Sequence, residues 1–121
     1  MSRLQKKESL KEARRRLIID TAFRIFVEQK IEPVSMGEIA SAAGIGRATL
    51  FRYYANKLEL VVAVCAAKWK EYLDELDAKR PLSSIGDIPA IDRFTFTLDS
   101  YIDMYRYHKD LLQYNDNFNH Y

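Results

Sequence analysis

One cysteine, four glycines, three prolines and one tryptophan in 121 residues exclude several architectures at once. A single thiol, Cys65, rules out an internal disulfide framework and any zinc site built from cysteine clusters. The two histidines, His108 and His120, have no cysteine or clustered carboxylate beside them, so no metal and no cofactor is expected. No stretch approaches the roughly 18 uncharged apolar residues of a membrane span. The basic N-terminus has no apolar run behind it of the signal-peptide kind. A cytoplasmic protein without a membrane partner is expected. With so little glycine and proline the elements should be long, and no segment alternates apolar and polar residues with the period of a strand. The expected fold class is all-α.

What is present is an ordinary globular mixture, 48% apolar and 30% charged, enough for one domain with a core. The net charge of +2 hides an asymmetry. Residues 1–60 carry twelve Lys and Arg against seven Asp and Glu, and residues 61–121 carry seven against ten. The front half is suited to meeting a polyanion and the back half is not. "MSRLQKKESLKEARRR" reads as a flexible basic arm, residues 1–12, leading into a first helix capped at Ser9 with Glu12. Membrane-surface binding by this arm is disfavoured because it lacks bulky apolar anchors.

Ile18, Ala22, Ile25 and Phe26 continue that helix to Gln29, and Pro33 breaks it. Ser35 with Glu38 forms another capping box, with Val34 and Ile39 at the staple positions, opening a helix over Met36 to Ala42 that Gly44 stops. A third helix is expected from Arg47 to about Tyr54 behind Gly46. Asn56 with Glu59 caps a fourth, whose apolar face is Val61, Val64, Cys65, Tyr72 and Leu76. Asp87 can cap a fifth with the stripe Ile91, Phe94, Leu98, Tyr101, Ile102 and Tyr105, for most of which core packing is expected. A sixth helix carries Leu111, Leu112 and Tyr114, although its asparagines are poor helix formers.

"AAGIGRATLFRYY", residues 42–54, decides the functional reading. It has too few glycines for a phosphate-cradling loop, and no strand precedes it. Ala40, Gly44 and Leu50 have the spacing of a helix-turn-helix, with a small contact residue, a turn and an apolar anchor. Leu50 and Tyr54 would face inward. Arg47, Ala48, Thr49, Phe51, Arg52 and Tyr53 would face out, and such side chains suit base edges, thymine methyls and phosphates of duplex DNA. Catalysis has no supporting constellation. Cys65 lies on an apolar face without a base, and Asp92, Asp99 and Asp103 read as a solvated side of the fifth helix.

"IIDTAFRIFVEQKIEPVSMGEIASAAGIGRATLFRYYANKLELVVAV" resembles the DNA-binding region of the tetracycline-repressor (TetR) family of bacterial transcription regulators, over roughly residues 13 to 72. The resemblance implies a three-helix domain, 13–72, with its helix-turn-helix at 35–54. A fourth linking helix and part of a helical ligand-binding and dimerisation region, 73–121, would follow. It also implies roles. Thr49, Arg52, Arg47 and Ala48 would face the major groove, Tyr53 and Lys57 would hold phosphates, and the Ser35 cap would offer its hydroxyl and N–H groups to another. Gly46 stands where serine or threonine is usual, Ala48 where glycine is common, and Phe51 replaces a frequent tyrosine. Family members usually bind palindromic operators as homodimers and release them when a small effector binds the C-terminal half. Phe94, Leu98, Tyr101 and Tyr105 are the candidates to line that pocket. For such a scheme the chain is short, so a fragment of a longer protein is expected, with a short variant dimerising through helices five and six as the alternative. A helical module for an acidic protein partner and a sequence-neutral DNA binder remain the rival readings.

Overall fold

A computed structural model describes residues 2–79 and 89–121. Among these residues there are six helices and no strand: α1 (Arg3–Gln29), α2 (Met36–Ala43), α3 (Arg47–Tyr53), α4 (Lys57–Lys79), α5 (Ala90–Tyr107) and α6 (Lys109–Asn119). The all-α expectation holds. The proposed Asp87 cap and the loop around it lie outside the described residues.

The start of α1 differs from the expectation at Ser9. Ser2 is the N-cap: its hydroxyl accepts from the Gln5 N–H at 3.1 Å, and the Gln5 carboxamide oxygen accepts from the Ser2 N–H at 2.8 Å. With no glycine or proline before Pro33, nothing interrupts the helix between these two serines, and Ser9 falls inside it. Glu12 pairs with Arg15 instead of closing a cap at Ser9. The basic arm is therefore the first half of a 27-residue helix, exposed along its whole length.

The main core gathers Ile18, Ala22 and Phe26 from α1, Ile39 and Ala40 from α2, Leu50 from α3, and Leu60, Val61 and Val64 from α4. Tyr114 of α6 joins the same cluster, fully buried among the rings of Phe23, Phe26 and Phe118. Its hydroxyl donates to the Val61 carbonyl at 2.6 Å, and burial pushes the phenol pKa well above its ordinary value. Asn117, counted as a poor helix former, donates its amide to the Phe26 carbonyl at 2.8 Å from a buried position. Through these two residues α6 is keyed across α1 and α4. A smaller cluster of Tyr72, Leu76 and Leu111, flanked by Trp69 and Met104, continues along α4.

In α5 the apolar stripe is turned the other way from the core packing expected of it. Phe94, Leu98, Tyr101, Ile102 and Tyr105 are 43% to 74% exposed, and the helix buries none of its residues. The side it turns to α4 carries the half-buried Phe96, Ser100, Asp103 and Met104. There the Tyr72 hydroxyl donates to the Ser100 carbonyl at 3.1 Å, and Lys79 lies 3.7 Å from Asp103. The physical reason is that the facing part of α4 presents a phenol and an ammonium, which need acceptors. The polar side of α5 supplies the Asp103 carboxylate for the ammonium, and the stripe has no charged residue that could do so.

Candidate nucleic-acid interface

The corner between α2 and α3 is built as the spacing requires. Ser35 caps α2, its Oγ accepting from the Glu38 N–H at 3.1 Å, while Val34 and Ile39 are both buried at the staple positions. At the other end Gly44 adopts φ 70°, a left-handed conformation that glycine reaches without a Cβ penalty. The Gly44 N–H bonds the Ser41 carbonyl at 3.1 Å and the Ile45 N–H bonds Ala40 at 3.0 Å, the paired pattern that stops a helix and redirects the chain. Ala40, almost wholly buried, lets the helices approach, and Leu50, fully buried, pins α3 from beneath. Tyr54, expected inward with Leu50, is half-buried against the core.

Pinning Leu50 fixes what α3 displays. Arg47, Ala48, Phe51 and Arg52 are exposed, with Thr49 and Tyr53 half-buried. Arg47 lies back across the first turn of α2, so that a Cβ on Gly37 would stand 3.5 Å from its Nε. Ser35, at the start of that turn, is exposed beside it. Arg47 therefore links the exposed start of α2 to the exposed residues Ala48, Phe51 and Arg52 of α3, with Thr49 half-buried among them.

The two remaining candidates are already engaged. The Tyr53 ring lies 5.8 Å from the Arg15 guanidinium of α1 and packs on the core. Lys57 donates its ammonium to the Glu32 carbonyl at 2.9 Å and stands over the Tyr121 ring at 5.4 Å. One of the three ammonium N–H bonds is thus directed at the α1–α2 loop. Burial raises the pKa of Tyr54, with Arg15 opposing and Glu12 and Glu59 adding to the shift. Arg15 is the neighbour that periodicity alone could not assign; the run Arg14–Arg16 was its only signal.

The four aromatic and aliphatic candidates on α5 stand on its outer face. Tyr101 and Tyr105, with Ile102, Arg106 and Lys109, border a shallow open depression of about 460 Å³. A second groove of about 390 Å³ is lined from α1, α4, α5 and α6 by charged side chains together with Phe23, Tyr72 and Leu111. In it Lys68 bridges Asp20 at 2.6 Å and Glu71 at 3.4 Å, and His108 lies 3.1 Å from Glu75. Cys65 is half-buried and its pKa is raised by burial. Among the described residues no three His, Cys, Asp or Glu side chains are grouped to hold a metal, and no helix is long and apolar enough to cross a membrane.

Residues 18–64 match the family described as bacterial regulatory proteins, tetR family. The chain is 37% identical over 60 residues to the HTH-type transcriptional regulator AcrR of Shigella flexneri, a stretch covering 50% of this chain and 27% of that protein. It is 37% identical over 54 residues to the HTH-type transcriptional repressor LfrR of Mycolicibacterium smegmatis, covering 45% of this chain and 28% of that one. A crystal structure of a TetR family transcription regulator from Marinobacter aquaeolei VT8 superposes with a TM-score of 0.72. That superposition has 21% identity and covers 94% of this chain and 58% of the other. The chain thus spans less than two thirds of each of these proteins, and under a third of the first two.

Proposed function

We propose that this chain, whose residues 18–64 match the tetR family of bacterial regulatory proteins, reads a specific DNA sequence through α3 and represses transcription from that site. The observation that carries the reading is the outward set Arg47, Ala48, Phe51 and Arg52 above a fully buried Leu50. An arginine fork can take the O6 and N7 of a guanine, and a small or aromatic side chain can rest on a thymine methyl. Thr49 adds a hydroxyl to either. Ser35, Tyr53 and Lys57 serve the phosphates, which set register and carry no sequence information directly. No catalysis is part of this reading.

In the same reading two copies place their α3 helices on the halves of a palindrome, one helical turn apart. A small effector then binds the helical region from residue 73 onward, with Phe94, Leu98, Tyr101 and Tyr105 among its contacts. Release follows from linkage: an effector that binds the form unable to hold DNA more tightly weakens DNA affinity by the same factor. Such a protein works in the cytoplasm, beside the chromosome.

Selection from a random duplex library at two salt concentrations tests this. The expected outcome is enrichment of an inverted repeat, with Arg47→Ala or Arg52→Ala lowering affinity by about 5- to 150-fold, the equivalent of 1–3 kcal/mol. Enrichment of a single half-site would keep the reader and remove the dimer. No enrichment, with Arg52→Ala inert, would refute the reading in favour of a sequence-neutral binder or a protein-interaction module.

A further inference from the structure

Gly37 is an unexpected residue for its place. It is the second residue of α2, a helix of only eight residues, and glycine is a poor helix former. No left-handed dihedral calls for it, because Gly44 is the only glycine with a positive φ among the described residues. The room it leaves is used by one neighbour. The three atoms nearest to where a Cβ would stand all belong to Arg47: Nε at 3.5 Å, Cδ at 3.6 Å and Cζ at 3.7 Å. We propose that Gly37 is a positioning residue for Arg47, its bare backbone seating the guanidinium over the first turn of α2 and so setting which base pair that side chain prefers. The proposal rests on the DNA-binding reading above and adds to it a residue outside α3.

Three successive side-chain atoms at nearly one distance mean that the end of Arg47 lies flat along the glycine. Nothing polar holds it there. Among the described residues Arg47 is exposed and has no hydrogen bond, ion pair or ring contact. A long side chain left free loses its rotamer freedom on binding, at a cost equivalent to about 2- to 12-fold in affinity. A seat formed before DNA arrives removes part of that cost. It also fixes the direction from which the guanidinium approaches, and a planar fork on guanine O6 and N7 is sensitive to direction. A methyl group at position 37 would meet Arg47 at ordinary van der Waals distance and keep the seat. Isoleucine instead puts two heavy atoms on Cβ in one strongly preferred helical rotamer, with little room to turn aside. It would lift Arg47 away.

The test uses the whole chain and the duplex selected above. Gly37→Ala, Gly37→Ile, Arg47→Ala, Arg52→Ala and the double variant Gly37→Ile with Arg47→Ala are compared. Alanine and isoleucine are both better helix formers than glycine, so the fold should survive; melting followed by circular dichroism checks this. Base preference is read by competition among duplexes substituted at each position of the site. Arg47→Ala identifies the base pair that Arg47 serves. Gly37→Ala should keep the preference there. Gly37→Ile should lose or change it, lower affinity about 2- to 12-fold, and leave preferences at other positions alone. In the Arg47→Ala background it should add nothing. Nitrogen-15 relaxation of the free wild-type chain should show a restricted Arg47 Nε–H, released in Gly37→Ile. A freely moving Arg47 Nε–H in the wild-type chain would overturn the proposal. So would wild-type preference in Gly37→Ile, or an equal effect of that change with and without Arg47, each leaving the α3 reading in place. Arg47→Ala inert beside an active Arg52→Ala would overturn it too. If both arginine variants are inert, the α3 reading itself fails and takes the proposal with it.

Discussion

Replacing Tyr114 measures how firmly α6 belongs to the domain that carries α3. The side chain is fully buried, its ring lies 5.5 Å from Phe23 and 6.3 Å from Phe26, and its hydroxyl donates to Val61 at 2.6 Å. Tyr114→Phe removes that bond and keeps the ring, so the expected loss is about 1 kcal/mol. Tyr114→Ala also removes the ring and leaves a cavity between α1, α4 and α6, for an expected loss of about 3–5 kcal/mol. For a chain of this size 1 kcal/mol corresponds to roughly 4 °C in Tm, so the two variants should be well separated. Urea unfolding followed by far-ultraviolet circular dichroism and by Trp69 fluorescence gives both values. Trp69 sits edge-on to Tyr72 in α4 and reports on the neighbouring cluster. The two probes should trace one transition. A loss below about 1 kcal/mol for Tyr114→Ala would refute the reasoning, because burial of that ring cannot be so cheap to undo.

The same phenol should set an alkaline limit. Its pKa is raised in the folded chain, so its contribution is complete below the unfolded value near pH 10 and declines as pH rises beyond it. Tyr114→Phe should therefore flatten the loss of stability above about pH 10, read by urea unfolding at successive pH values. Gly44→Ala meets no atom within 4 Å but keeps a φ of 70°, so it should cost about 1–2 kcal/mol of backbone strain alone and weaken DNA binding by tilting α3. Unaltered melting of this variant would mean the corner is not left-handed at that residue. Phe94→Gln with Leu98→Gln on α5 should change stability by less than about 0.5 kcal/mol per site, because both stand in solvent; a larger loss would show that the stripe is buried.

The α2–α3 corner was legible because its signals are local. A serine cap, an alanine at the contact, a glycine at the turn and a leucine anchor each act within a few residues, and each occupies its expected place. Helix α1 was misjudged at its start because two serine-led caps compete, at Ser2 and Ser9, and only the absence of a breaker between them decides. Periodicity found the stripe of α5 without revealing its direction. That depended on Tyr72 and Lys79, more than twenty residues away, needing polar partners. Asn117 was read by propensity and is used for its amide, a tertiary bond across ninety-one positions. Arg47, Ala48, Phe51 and Arg52 face out as the pattern implied, whereas the attachment of Lys57 to Glu32 and Tyr121 carried no local sign.

Since α5 buries no side chain fully and covers only the smaller cluster, through Met104, lifting it away uncovers far less apolar surface than opening the main core does. Denaturant acts in proportion to the surface an opening exposes. The amide hydrogens of α5 should accordingly exchange through a local event that urea scarcely accelerates. Those around Phe26, Val61 and Tyr114 should wait for a global opening with a steep urea dependence. One polypeptide would then contain two clocks, with the faster one in the helix that carries the proposed effector contacts.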